Sequence, residues 1–282
     1  MRRSGDDDSD STSESTSNAS TGGESSGQPS PSPSPSPGPG PDAGRQRRRS
    51  YTRRVPSRIP DTPRPSLSYE DITLGDPLGR GGNADVYYAT AATPQGDLEL
   101  AVKEPRMGGG ETLNTEVVER MMQEAETWQQ LDGHDHVAGV VDYGAQPLPW
   151  IAMEYMDGGH LGERVGEMDT AQKLWTALSV TEGVYHAHNR GIAHRDLKPE
   201  NILFRHVDGA WDAPKVADWG LSKHLLEHSK SRDGMTVEYA APEQFSDSRS
   251  TDDRTDIYQL GAVFYELFTG QPPFEGEMFT VM

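Results

Sequence analysis

Leu78-Gly79-Arg80-Gly81-Gly82-Asn83-Ala84-Asp85-Val86 is a glycine-dense turn between two apolar runs. Glycine has no side chain, so backbone N–H groups in such a turn can come close to phosphate oxygens. A plain hairpin is the other reading of these residues. A Walker loop is excluded, because no Lys-Ser or Lys-Thr follows the glycines. Two short strands later, Ala101-Val102-Lys103 places a lysine at the end of an apolar run. Alone it would be a surface residue, but its distance from the turn lets it meet the same phosphates. In His134-Asp135-His136 the two histidines would share one side of a strand and could ligate a metal. No third and fourth ligand is evident, so this segment is read as a turn entering a strand.

The densest run is His194-Arg195-Asp196-Leu197-Lys198-Pro199-Glu200-Asn201, followed by Asp218-Trp219-Gly220 and Ala241-Pro242-Glu243. In this order and spacing the sequence resembles, over about residues 72–282, the eukaryotic-like (Hanks-type) Ser/Thr protein kinases. The resemblance implies a prokaryotic member that transfers the γ-phosphoryl group of ATP to Ser/Thr hydroxyls of proteins, itself included, with ATP and Mg2+ as cofactors. Lys103 would hold the α- and β-phosphates, partnered by a glutamate on the next helix. Glu111, Glu116, Glu119, Glu124 and Glu126 compete for that place. Glu124 is preferred because Met122-Gln123-Glu124-Ala125 lies seven residues before Leu131 and the His134-to-Val137 join; Glu116 is second. Asp196 would accept or steer the proton of the attacking hydroxyl, and Lys198 would stabilise charge on the transferred group. Asn201 and Asp218 would hold two magnesium ions. Oxygen donors without thiols or an imidazole cage suit magnesium rather than zinc. Leu78, Gly79 and Gly81 would close over ATP, and Val86, Ala101 and Leu203 would sandwich the adenine. Met153-Glu154-Tyr155-Met156 would form the hinge, with Met153 as gatekeeper, although Met153 reads equally as the end of a core strand. Trp128, His194 and Trp219 would stack as a regulatory spine.

The sequence departs from the family in several places. Ala84 stands where a third glycine is usual, and Trp219 where phenylalanine is usual. Arg205 to Pro214 is longer than the common turn and reads as a surface hairpin. After Ile257 to Thr269, which resembles the central helix of the large lobe, the chain passes Pro272-Pro273-Phe274 and reaches Met282, where the family adds further helices. The expectation is therefore a large lobe truncated after its central helix. Val263, Phe264, Leu267 and Phe268 would lie uncovered, Glu243 would lack its arginine, and a capping partner or dimer would sit at this end. A kinase-like non-catalytic binding or regulatory module is the alternative function. The Lys-Pro-Glu run and the Ala-Pro-Glu segment favour protein over small-molecule substrates, and Lys198 favours the Ser/Thr over the tyrosine class. Arg195 beside Asp196 implies control by a phosphorylated loop, with Ser222, Ser229, Ser231 and, least favoured, Thr236 as acceptors. Asp142-Tyr143-Gly144 mimics the magnesium triplet, but it precedes the catalytic run and is read as a turn between strands.

The elements that must position these residues follow from periodicity. Ile72–Leu78, Val86–Ala89, Leu98–Lys103, Val137–Tyr143 and Trp150–Met153 read as strands. Thr115–Leu131 has helical spacing, with Val117, Val118, Met121, Met122, Ala125 and Trp128 on one face, and Ala171–Asn189 is helical again. The class is α+β, a two-lobed kinase-like fold: a β-rich lobe at about 69–155, a helical one from about 156, and a cleft between them.

Composition bounds the rest. The 282 residues contain no cysteine, which excludes disulfide scaffolds, thiol catalysis and cysteine metal sites. A net charge of −19 repels nucleic acid and anionic lipid. No run approaches the roughly 18 apolar residues of a membrane span. Met1-Arg2-Arg3-Ser4 is followed by acids rather than an apolar stretch, so it is not an export signal, and a cytoplasmic location is expected. Residues 1–68 contain only seven apolar residues, Met1, Ala19, Ala43, Tyr51, Val55, Ile59 and Leu67, and are expected to remain a disordered Ser/Pro/Arg-rich arm. Pro29 to Pro41 favours an extended spacer. Seven arginines between Arg45 and Arg58 read either as a docking arm or as a solvated linker. The remaining residues carry 16 basic and 37 acidic groups, and the whole chain has 6 lysines against 20 arginines. That balance raises a halophilic, haloarchaeal source, with an ordinary acidic protein as the alternative.

Overall fold

The computed structural model describes residues 55–80, 84–106, 114–219, 238–245 and 251–274. Gly81, Glu111, the acceptors Ser222, Ser229, Ser231 and Thr236, and residues 1–54 of the expected arm lie outside the described residues.

Strands β1 (Ile72–Arg80), β2 (Ala84–Thr93), β3 (Gly96–Pro105), β4 (Val140–Gly144) and β5 (Trp150–Glu154) form one antiparallel sheet in the order β1-β2-β3-β5-β4. Pro77 is tolerated because β1 is an edge strand whose register shifts around it. Period-two alternation divides β3 between two faces. Leu100 and Val102 join Ala89, Ala91, Val141, Trp150 and Ala152 in a buried cluster, covered in part by Leu67, Tyr69, Ile72 and Leu98. Ala101, on the opposite face, packs against the main core.

That face receives α1 (Thr115–Gln129), started by Asn114, whose side chain accepts the Glu116 N–H at 3.2 Å. Its buried residues, Met121, Glu124, Ala125 and Trp128, recur at helical spacing. The second lobe begins with the short α2 (Leu161–Arg164) and the longer α3 (Thr170–His188). Asp169 and Gln172 cap α3 reciprocally, at 2.8 and 3.1 Å. Gly183 on α3 faces the first lobe so closely that a Cβ there would lie 2.5 Å from the His136 carbonyl oxygen. A hairpin of β6 (Ile202–Arg205) and β7 (Ala213–Val216) follows, as expected for the Arg205–Pro214 insertion. Helix α4 (Asp253–Thr269) is capped by Asp252 and ended by Gly270 in the left-handed region, φ 80°.

Four expectations need correction. Residues 55–68 belong partly to the folded lobe: Ile59 is 6% exposed and Leu67 packs partly buried on the sheet, which average composition conceals. Val137 does not extend β4 but forms a parallel bridge to Val216. Asp142-Tyr143-Gly144 is the end of β4 rather than a turn, with Asp142 opposite Ala152. Val263 and Leu267 are fully buried, because α4 packs them into its own lobe; Phe268 on the other side is exposed, with Ile257 and Tyr265.

Candidate active site

Lys103 is where the geometry converges. It lies on β3 opposite Ile151 of β5 and is 4% exposed. Its Nζ donates to Glu124 Oε1 at 2.6 Å and to Asp218 Oδ1 at 2.7 Å. Burial works against the ammonium, but the Asp218 and Glu124 carboxylates outweigh it and hold its pKa above the usual lysine value. The same charge keeps Asp218 ionised below the ordinary carboxylate range, despite burial. Of the competing glutamates, Glu124 is the one on the buried face of α1; Glu116 is exposed beside the cap.

The second group stands on the loop between α3 and β6. Lys198 Nζ donates to Asp196 Oδ2 at 3.0 Å. Asn201 Nδ2 donates to the Asp196 carbonyl at 2.7 Å and to its Oδ2 at 3.3 Å. His194 packs edge-on against Trp219, ring centroids 4.8 Å apart, with Nε2 2.9 Å from the Ala217 carbonyl. Trp128 lies in the same buried cluster and donates its indole N–H to the Ala138 carbonyl at 2.6 Å.

Between the two groups lies a cleft of about 790 Å³. Leu78, Gly79, Val86, Ala101, Lys103, Met153, Glu154, Met156 and Leu203 line it, joined by Lys198, Asn201 and Asp218. Glu124 reaches the cleft through Lys103, and Asp196 through Lys198 and Asn201. The arrangement offers an apolar slot at one end and cation, carboxylate and amide groups at the other. That division suits a flat heterocycle joined to a charged chain.

Several supporting residues escaped sequence reasoning. Asp256 on α4 is completely buried, with Oδ1 accepting the Arg195 N–H and Oδ2 the His194 N–H. Gln259 accepts the Leu197 N–H at 2.9 Å, and Gln244 donates to the Arg195 carbonyl at 2.9 Å. A signal for Asp256 existed: it shares helical spacing with Leu260, Val263 and Leu267, so a carboxylate in that stripe must find buried donors. Lys215 on β7 donates to Glu154 Oε1 at 2.7 Å, and the same oxygen accepts the Gly139 N–H at 2.7 Å. The Glu154 side chain is thus engaged behind the cleft. Glu243 accepts from Thr255 Oγ1 at 2.7 Å. His134, His136 and His186 stack near one another, but no group of His, Asp and Glu that could hold a metal occurs among the described residues.

A two-lobed fold, with a buried lysine–carboxylate pair in one lobe facing a carboxylate–lysine–amide loop on the other, defines the kinase class of architecture. The chain belongs to the protein kinase domain family, which matches residues 72–280. It is similar to the serine/threonine-protein kinase Pkn1 of Myxococcus xanthus, 36% identical over 206 residues, covering 71% of this chain and 29% of that protein. It is also similar to PknB of Mycobacterium leprae, 33% identical over 228 residues, covering 77% and 35%. PrkC of Bacillus subtilis is 35% identical over 208 residues, covering 71% and 30%. The chain spans about a third of the length of these curated relatives. Protein kinases act on proteins and use ATP, typically with magnesium. No helix among the described residues is long and apolar enough to cross a membrane.

Proposed function

We propose that this chain transfers the γ-phosphoryl group of ATP to serine and threonine hydroxyls of proteins. The observation that carries the reading is Lys103 Nζ at 2.6 Å from Glu124 and 2.7 Å from Asp218, in one cleft with Lys198 and Asn201. Glu124 holds the lysine so that its charge meets the α- and β-phosphates. Adenine lies between Val86, Ala101 and Leu203, its edge toward the backbone of residues 153–156. The acceptor oxygen forms a bond to the γ-phosphorus as the bond to the bridging oxygen breaks. ADP leaves, and the hydroxyl proton passes to the Asp196 carboxylate. Lys198 steadies the charge of the group in transit.

Asn201 and Asp218 suit magnesium. The Asn201 amide nitrogen is committed to Asp196, at 2.7 Å, which leaves the hard oxygen for a cation. Bound there, magnesium would neutralise phosphate charge. Leu78 and Gly79, with Gly81 outside the described residues, cover the nucleotide in this reading. Autophosphorylation within residues 4–36, or at Ser50, Thr52 or Ser57, is part of it. A cytoplasmic location goes with it, because ATP is supplied there.

The test is incubation of the purified chain with labelled ATP, magnesium and a mixed protein acceptor. Label recovered as phosphoserine and phosphothreonine is the expected result. Nucleotide binding without any transfer would replace this reading with a non-catalytic binding module.

A further inference from the structure

Residues 55–67 make contacts that phosphoryl transfer does not use. The stretch has no regular secondary structure, yet it is anchored on both sides of Thr62. Before Thr62, Ile59 is 6% exposed. After it, Arg64 lies 3.4 Å from the Asp132 carboxylate, and the Leu67 N–H donates to Asp142 Oδ2 at 2.7 Å.

Thr62 itself rests on Gly139. A Cβ built on Gly139 would lie 2.2 Å from Thr62 Oγ1 and 2.6 Å from its Cγ2, so only glycine permits this approach. Both backbone groups of Gly139 are bonded to Glu154: its N–H donates to Oε1 at 2.7 Å, and its carbonyl accepts the Glu154 N–H at 3.1 Å. Glu154 lines the cleft between Met153 and Tyr155. One packing contact and one doubly bonded peptide therefore separate Thr62 from the segment against which adenine would lie.

We propose that residues 55–67 are a built-in strap, and that Thr62, through Gly139, positions Glu154 and so sets the nucleotide affinity of the cleft. Thr62 is a positioning residue and touches no nucleotide. The proposal rests on reading the cleft as an ATP site. Its physical basis is stiffness. With two hydrogen bonds between Gly139 and Glu154, a displaced Gly139 peptide carries the hinge backbone with it, and hydrogen bonds to an adenine edge depend on that placement.

The test uses the full-length chain, with a fluorescent ADP analogue for affinity, ATP kinetics for turnover, and trypsin cleavage after Arg58 to follow the strap. Gly139→Ala is expected to weaken analogue binding by about 5–20-fold, as for a typical coupling between sites. It should raise KM for ATP while leaving kcat at saturation nearly unchanged. Adding Thr62→Gly to Gly139→Ala removes the colliding side chain and lets the new methyl fill its place, so affinity should return, whereas Thr62→Gly alone should weaken binding. Thr62→Ser alone should behave as wild type. Ile59→Ser should speed cleavage after Arg58 and weaken binding to a similar degree. If the double variant stays as weak as Gly139→Ala, the effect belongs to Gly139 alone and the proposal fails. It also fails if Ile59→Ser frees the strap without changing affinity. A wild-type chain that binds no nucleotide overturns the ATP reading and this proposal together. A wild type that binds, with Gly139→Ala unaffected, overturns only the proposal.

Discussion

Asp256 Oδ1 accepts the backbone N–H of Arg195 at 2.5 Å, across 61 positions of sequence. Arg195 has φ 65°, a left-handed conformation that arginine rarely adopts. The other Asp256 oxygen accepts from the His194 N–H at 2.8 Å and from His188 Nε2 at 2.7 Å. One buried carboxylate thus fixes the turn that aims Asp196. Such strain persists only where surrounding bonds over-determine it.

Asp256→Ala leaves those buried N–H groups without an acceptor. Each unsatisfied donor costs about 1–3 kcal/mol, so a loss of about 3–5 kcal/mol is expected in urea melts. Phosphoryl transfer should fall further than nucleotide binding, because the loop lost is the one bearing Asp196. Equal losses in both would show that the helix serves the fold alone.

Asp196→Asn keeps the shape of the loop and removes the proton acceptor. Transfer should drop about 10²–10⁴-fold, with nucleotide affinity unchanged within experimental error. Single-turnover kinetics with a nucleotide titration alongside would check it, and undiminished transfer would remove Asp196 from the mechanism.

Lys103→Met should reduce kcat/KM strongly by misplacing the phosphates. Glu124→Gln should act in the same direction, because the 2.6 Å ion pair that positions the lysine is lost. Glu116→Gln, on the exposed first turn of α1, should leave kinetics as they are. Damage from Glu116→Gln instead would assign the partnership to the wrong turn of α1.

The Glu154–Lys215 pair is buried on both sides. Lys215→Met strands a buried carboxylate and is expected to destabilise by about 3–5 kcal/mol. Combining it with Glu154→Gln should recover much of that loss, since the stranded charge is gone. Urea midpoints for both single variants and the double form the required cycle. Simple additivity would mean that the two groups act independently.

The histidine stack predicts a loss of stability in acid. Burial, followed by the neighbouring His186 and His136, lowers the His134 pKa to about 4, and His136 and His186 are lowered too, chiefly by burial. An unfolded imidazole binds its proton near pH 6.5. Between that pH and about 4 the unfolded state holds more protons, so stability falls as pH drops through this window and levels off below it. The full shift would be worth about 3 kcal/mol, and screening at a partly open ring reduces it to roughly 1–2. Urea midpoints from pH 8 to pH 4 should show a shallower slope in His134→Asn. An unchanged slope would move the proton uptake elsewhere.

How far these features can be read without coordinates depends on the range of the interaction. Asp196, Lys198 and Asn201 lie within six residues, and the family resemblance carried by that run marks them. Lys103 and Glu124 follow from the same resemblance, Glu124 through its distance from Leu131 and the His134-to-Val137 join. Lys215 and Glu154 stand 61 residues apart, and each resembles an ordinary surface charge until β7 is laid behind β5. Residues 55–68 were concealed differently. Two anchoring side chains among many polar ones barely alter composition, yet Ile59 and Leu67 suffice to fasten the segment.

The loop of residues 136–139 is sewn to both lobes. Val216 N–H donates to the His136 carbonyl at 3.0 Å, the Ala138 N–H donates to Val216 at 2.9 Å, and Gly139 is held by Glu154. The covalent crossover at 154–156 runs beside it. The Lys103–Asp218 and Lys215–Glu154 pairs, both at 2.7 Å, join the same two lobes. The lobes are therefore stitched along a line of direct bonds rather than at one joint.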